Sequence, residues 1–88
     1  GLSGKITRSF QDLDRRTQNI ADAAANLRRN IDAGRVVVSS DADSIARMSA
    51  DLVVAQTNFA DNVDALRSFL MHLAPNDSAK DAVAALFD

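Results

Sequence analysis

Two apolar stripes run along this chain with a period of about 3.5 residues, and a pair of long helices is the simplest structure that satisfies both. The first stripe joins Ile6, Phe10, Leu13, Thr17, Ile20, Ala24, Leu27 and Ile31, with steps that alternate four and three. The second joins Ile45, Met48, Leu52, Ala55, Phe59, Asn62, Leu66, Phe69 and Leu73, and Val63 and Leu70 widen it. Such a repeat keeps one face of an α-helix apolar along its whole length. The spacing predicts helices over about 3–33 and 41–74, joined by a loop at 34–40.

The expected ends have their own chemistry. Ser3 is read as the N-cap of the first helix, because its hydroxyl can accept a free backbone N–H of the first turn. Gly34 suits the position after the last turn, where a left-handed conformation costs glycine little. Arg28 and Arg29 lie near that end, where the helix dipole favours cations. Ser40 with Asp43 has the spacing of a capping box, with Asp in place of Glu. Pro75 disfavours helical geometry at Ala74 and should stop the second helix there. Ser78 with Asp81 marks a third, short helix over about 78–87, with Ala79, Ala82, Val83, Leu86 and Phe87 on its apolar face. Residues 34–40, Gly-Arg-Val-Val-Val-Ser-Ser, read as an extended loop, since no second strand-like run exists to pair with the valines.

The fold class is therefore all-α, in one domain over residues 1–88. Two helices of about 30 residues would each be about 45 Å long. A loop of seven residues between them favours an antiparallel hairpin. A hairpin alone buries little apolar surface against the entropy of ordering its residues. Association into a four-helix bundle, or docking on a partner's helices, would supply the missing area.

Charge supports side-by-side packing. Residues 1–35 hold seven basic groups and four Asp, a net of +3, and residues 36–88 hold three basic groups and eight Asp, a net of −5. Opposite fields help fix orientation and partner choice, although each surface pair contributes little. An apolar content of 47% is too high for a disordered chain. The absence of cysteine excludes disulfides, Cys-based zinc sites and thiol nucleophiles. No apolar run approaches the roughly 18 residues of a membrane span. Gly1 to Phe10 has no apolar core of a cleaved signal peptide, which points to the cytoplasm.

Candidate chemical sites are few. His72 is the one side chain whose ordinary pKa lies near neutrality, and no partner has a recognisable spacing, so it reads as structural. The carboxylates of Asp41 and Asp43 lack the glycine and terminal Glu of a calcium loop and read as helix capping. Asp61, Asp64 and Arg67 read as a solvated face with an Asp64–Arg67 pair. Arg15-Arg16 and Arg28-Arg29 are interleaved with Asp in a chain of net charge −2, which argues against nucleic acid and for pairing with the acidic second helix. Asn62 falls on the seam. It either sets register or oligomer state, or the helix rotates slightly to present Val63 instead. No catalytic, cofactor-binding or metal-ligating residue is assigned, and no cofactor is expected.

Two segments resemble a known family. Asn19-Ile20-Ala21-Asp22-Ala23, within the first heptad helix, resembles the N-terminal helix of flagellar axial proteins of the rod and hook type. The run from Asp51 to Leu66 resembles their C-terminal helix, with an acidic start, the Ala55-Gln56 pair, the aromatic Phe59 and then Asn62. The chain departs from that family after Ala23, lacks its middle β domain and continues past the second helix. The resemblance implies terminal helices that pair into coiled coils, and export without a cleaved signal peptide.

The functional expectation is a non-enzymatic, bacterial helical module for interaction or assembly, acting as a homo-oligomer (a dimer) or with a helical partner protein. Its seam residues are Phe10, Leu13, Ile20, Leu27, Leu52, Phe59, Asn62 and Leu66. The alternative is a small cytoplasmic regulatory adaptor, antitoxin or secretion chaperone that binds one cognate protein. An enzyme would have to work with one His and no Cys, Tyr or Glu.

Overall fold

A computed structural model describes residues 1–73 together with 81, 84, 86 and 87. The described residues form two helices, α1 (Leu2–Asp32) and α2 (Ser39–Met71), and include no strand. The short helix expected over about 78–87 falls mostly outside the described residues, as does Ala74.

Each helix end follows from local hydrogen bonding. α1 begins one residue before Ser3, and the Gly1 carbonyl accepts the Lys5 N–H at 3.1 Å. Ser3 is therefore inside the first turn and not its cap; its carbonyl accepts the Thr7 hydroxyl. At the other end, the Arg35 N–H reaches the Asn30 carbonyl at 2.9 Å and the Gly34 N–H reaches that of Ile31 at 3.0 Å. This paired closure satisfies two of the last free carbonyls and requires a left-handed residue. Gly34 supplies it with φ of 69°.

α2 starts at Ser39, two residues before the expected position. The cap is Val38, in an extended conformation, and Asp41 replaces Asp43 as the acidic partner. The Asp41 carboxylate accepts the Val38 N–H at 3.1 Å, and the Val38 carbonyl accepts the Asp41 N–H at 3.0 Å. A carboxylate in the first turn also meets the positive end of the dipole. The helix ends at Met71, three residues short of Ala74. A proline ring clashes with the carbonyl four residues earlier, and for Pro75 that carbonyl belongs to Met71.

The helices lie antiparallel. Ser9 meets Asn62, Phe10 meets Phe59, and Arg16 meets Asp51, so numbers rise on one helix as they fall on the other. On α2 the eight expected seam residues from Ile45 to Phe69 are the half-buried or buried ones, and Leu73, just past the helix, is half-buried as well. On α1 the expected stripe is only half correct. Ile6, Leu13, Ile20 and Leu27 are turned inward, but Phe10, Thr17, Ala24 and Ile31 are exposed. Their places are taken by Ser9, Arg16, Ala23 and Asn30, each one residue earlier. The reason is close approach. Ser9 and Ala55 are the two buried residues among those described, each 4% exposed, and both are small. Rotating Phe10 into the row of Ser9 would push the helices apart and strand the Asn62 amide.

The product is a rod. Its radius of gyration is 19.8 Å, against about 12 Å for a compact domain of this length. Its extents are 67 × 15 × 14 Å, with the two short dimensions nearly equal.

The left-handed turn gives a direct test. A methyl group at Gly34 would meet no atom within 4 Å, so the cost of Gly34→Ala is purely conformational. It should destabilise the hairpin by about 1 kcal/mol, read as a lowered thermal midpoint in circular dichroism, with no change in helix content at low temperature.

Candidate interaction face

The seam residues divide between the interior and one edge. Leu13, Ile20, Leu27, Leu52, Phe59, Asn62 and Leu66 are half-buried along the contact between α1 and α2, whereas Phe10 stands at its margin, 55% exposed. Phe10 still touches the opposite helix, because its ring lies 5.9 Å from that of Phe59 in a tilted arrangement. Tilted pairs of this kind suit the quadrupoles of the two rings.

Asn62 sits in the interior row, and Val63 is the more exposed of the two. The Asn62 amide nitrogen donates to the Ser9 hydroxyl at 3.1 Å and lies 3.4 Å from the Lys5 carbonyl. The Ser9 hydroxyl in turn donates to the Ile6 carbonyl at 3.0 Å. Among the described residues no buried side-chain polar atom lacks a partner. This pair is polar and directional within an otherwise greasy contact, so it holds the two helices in one register.

The two broad sides of the hairpin differ in chemistry. One side carries Lys5, Arg8, Asp12, Arg15, Asn19, Asp22, Asn26 and Arg29 from α1, beside Ser44, Arg47, Asp51, Val54, Asn58, Asp61, Ala65 and Ser68 from α2. Asp12 anchors it. Its carboxylate accepts from Arg15 at 2.6 Å and from Arg16 at 3.0 Å, and Arg16 also reaches Asp51 across the helices at 3.9 Å. Hydrogen bonds from Arg15 and then Arg16 hold the Asp12 carboxyl below its ordinary value. Two basic residues offered by the sequence for a nucleic-acid face are thus tied to a carboxylate on their own helix. Arg28 lies 3.8 Å from Asp32. The expected Asp64–Arg67 pair is not among the ion pairs of the described residues.

The other side is richer in apolar residues but mixed. From α1 it carries Phe10, Ala21, Ala24 and Ile31 with Thr7, Asp14, Thr17 and Arg28. From α2 it carries Ala46, Val53, Ala60, Val63 and Leu70 with Ser49, Gln56 and Arg67. These positions each fall one past an inward position, and antiparallel packing brings them to the same side. Ile31, Val53, Val63 and Leu70 are between 40% and 59% exposed. Leu86 and Phe87 lie only at one end, near Ser3, Ile6, Thr7 and Leu66. Val63 and Leu70 were legible as a widening of the second stripe. Val53 and Ala60 fall outside that stripe, although their seven-residue spacing with Ala46 is visible in the sequence. Val54 and Met71 are also exposed but lie off this face.

The elongated shape shows in the total area. The accessible surface is 6468 Å², about 1,500 Å² more than a compact monomer of this mass exposes. His72 lies at the end of α2. Its Nδ1 lies 2.7 Å from the Ser68 carbonyl, a bond that needs the proton on that nitrogen, so it closes the end of α2. Among the described residues no three His or Asp side chains gather to hold a metal ion, and no helix is long and apolar enough to cross a membrane.

The chain matches no family model, and no curated protein or solved structure is similar to it.

Two measurements check this geometry. A double-mutant cycle of Ser9→Ala and Asn62→Ala should give a coupling energy of about 1 kcal/mol, the net worth of one hydrogen bond. In an NMR titration, Asp12 should hold its charge to lower pH than the exposed carboxylates. Because its folded pKa is depressed, its contribution to stability is present above its ordinary value of 3.8 and is lost as pH falls through the lowered one.

Proposed function

We propose that this chain is a non-enzymatic helical assembly module whose docking surface is the apolar side of the hairpin. The observation that carries the reading is the row Phe10, Thr17, Ala24 and Ile31. It has the heptad spacing of an interior row yet lies exposed, beside Val53, Val63 and Leu70 of α2. Large apolar side chains left exposed on one side of a hairpin are what a contact with another protein covers. Heptad spacing fits it to further helices, since knobs at that period enter holes on a facing helix.

The resemblance of residues 19–23 and 51–66 to flagellar axial helices points the same way, because helix pairing is how that family assembles. The adaptor, antitoxin or chaperone reading uses the same face for one cognate protein. It would show as a monomer whose helix content rises when that protein is added. In that case the chain works in the cytoplasm. The flagellar-type reading instead requires export without a cleaved signal peptide.

Charged substitutions on the two sides separate this reading from a merely leaky surface. Val53→Asp with Val63→Asp should weaken association about 100-fold, or about 2.7 kcal/mol, since each carboxylate must be buried unpaired. Val54→Asp, off the face, should leave it unchanged. Sedimentation equilibrium over a range of concentrations reads both. A wild-type chain that stays at monomer mass up to millimolar concentration would sink the assembly reading.

A further inference from the structure

We propose that Val36–Val38, at the tip of the rod where α1 turns into α2, is a site for strand addition, and that its partner is the free edge strand of another protein's β-sheet. The site is separate from the apolar side of the hairpin. Three observations carry it.

The first is the state of the backbone. Val38 is extended, with φ of −112° and ψ of 159°, and residues 35–38 contain no turn or bend. Both ends of the segment are held, the Arg35 N–H by the Asn30 carbonyl and the Val38 N–H by the Asp41 carboxylate. In an extended chain the N–H and C=O of one residue point to the same edge, and those of its neighbours to the other. The Val38 carbonyl accepts the Asp41 N–H, so the edge that Val36 and Val38 share is largely closed. The other edge belongs to Val37. Among the described residues neither its N–H nor its carbonyl has a hydrogen-bond partner. Such a pair of groups, presented by a segment already fixed, is a template for an antiparallel neighbour, and little ordering remains to oppose the pairing.

The second is exposure. Val36 is 90% exposed, Val37 39% and Val38 53%, and every residue from 31 to 44 is exposed, so the tip is open to a partner. Three β-branched side chains in succession suit a pleated sheet. Their alternation, with Val37 the least exposed, is that of a strand. The described residues include no strand that could receive them.

The third is charge. The Arg35 guanidinium donates to the neutral Asn30 side chain at 2.7 Å and takes part in no ion pair among the described residues. In an antiparallel pair centred on Val37, the residue opposite Arg35 lies two positions after the one opposite Val37. A second copy of this chain would place Ser39 there and leave the cation uncompensated. Two strands alone are also only marginally stable in water. A partner strand with a carboxylate at that position, backed by its own sheet, meets both requirements.

A disulfide-closed β-hairpin peptide with the edge strand Thr-Val-Val-Val-Glu serves as the probe, added to the full, isotopically labelled chain in an NMR titration. Binding should saturate, shift the Val37 amide and slow its exchange with solvent, while the amides of Phe10 and Val53 stay in place. Val37→Pro removes the donor and should weaken binding about tenfold, the upper worth of one hydrogen bond. Val36→Pro removes an N–H on the other edge and should leave affinity within about twofold. Circular dichroism checks that both variants keep the helix content of the unmodified chain. A peptide with Lys in place of Glu should bind more weakly, and added salt should erase that difference. Equal binding by Val37→Pro and the unmodified chain, or no saturable shift at Val37 with millimolar peptide, would overturn strand addition. Equal affinity for the Lys peptide would overturn the carboxylate requirement. Shifts at residues 36–38 that follow the concentration of the chain itself, with no peptide present, would make a second copy the occupant and overturn the sheet-edge partner.

Discussion

Everything about this rod follows from which row of α1 turns toward α2. Two rows compete, one holding Ser9, Arg16, Ala23 and Asn30 and the other Phe10, Thr17, Ala24 and Ile31. The polar and small row is inside. Ser9 and Ala55 allow close approach, and Asn62 finds its hydroxyl and carbonyl partners only in that rotation. A buried amide without partners is more costly than an apolar side chain left at the surface. The hydrogen bond therefore decides the rotation, and the rotation leaves the apolar row outside.

That choice links stability to function. With two residues buried and the rest of the contact half-open, the hairpin has little interior to hold it together. The same apolar residues that would complete a core within a larger fold are presented together on one side. The other side is tied down by Asp12 with its two arginines and by the cross-helix approach of Arg16 and Asp51. Such exposed pairs add little to stability, but they keep that side wetted.

The helices, their lengths and their antiparallel pairing were legible because heptad spacing and a short loop leave few alternatives. The inward face of α2 was legible residue by residue, from Ile45 to Phe69, because its row is apolar but for Asn62. The inward face of α1 was not. Ile6, Leu13, Ile20 and Leu27 belong to both competing stripes, and hydrophobicity alone prefers Phe10 and Ile31 over Ser9 and Asn30. The caps were missed for a related reason. Ser3, Ser40 and Asp43 have the right chemistry, but the chain's path placed the first turns one or two residues earlier, at Gly1 and Val38.

By itself, then, the order of residues determined that this protein forms two long amphipathic helices joined by a turn at Gly34, since period and turn chemistry are local properties. Only the tertiary structure decided which of the overlapping stripes is interior. That depends on how near two backbones come and on whether Asn62 meets Ser9 across 53 positions of chain. A contact of that kind has no local signature, and it is the contact that puts Phe10 and Ile31 at the surface.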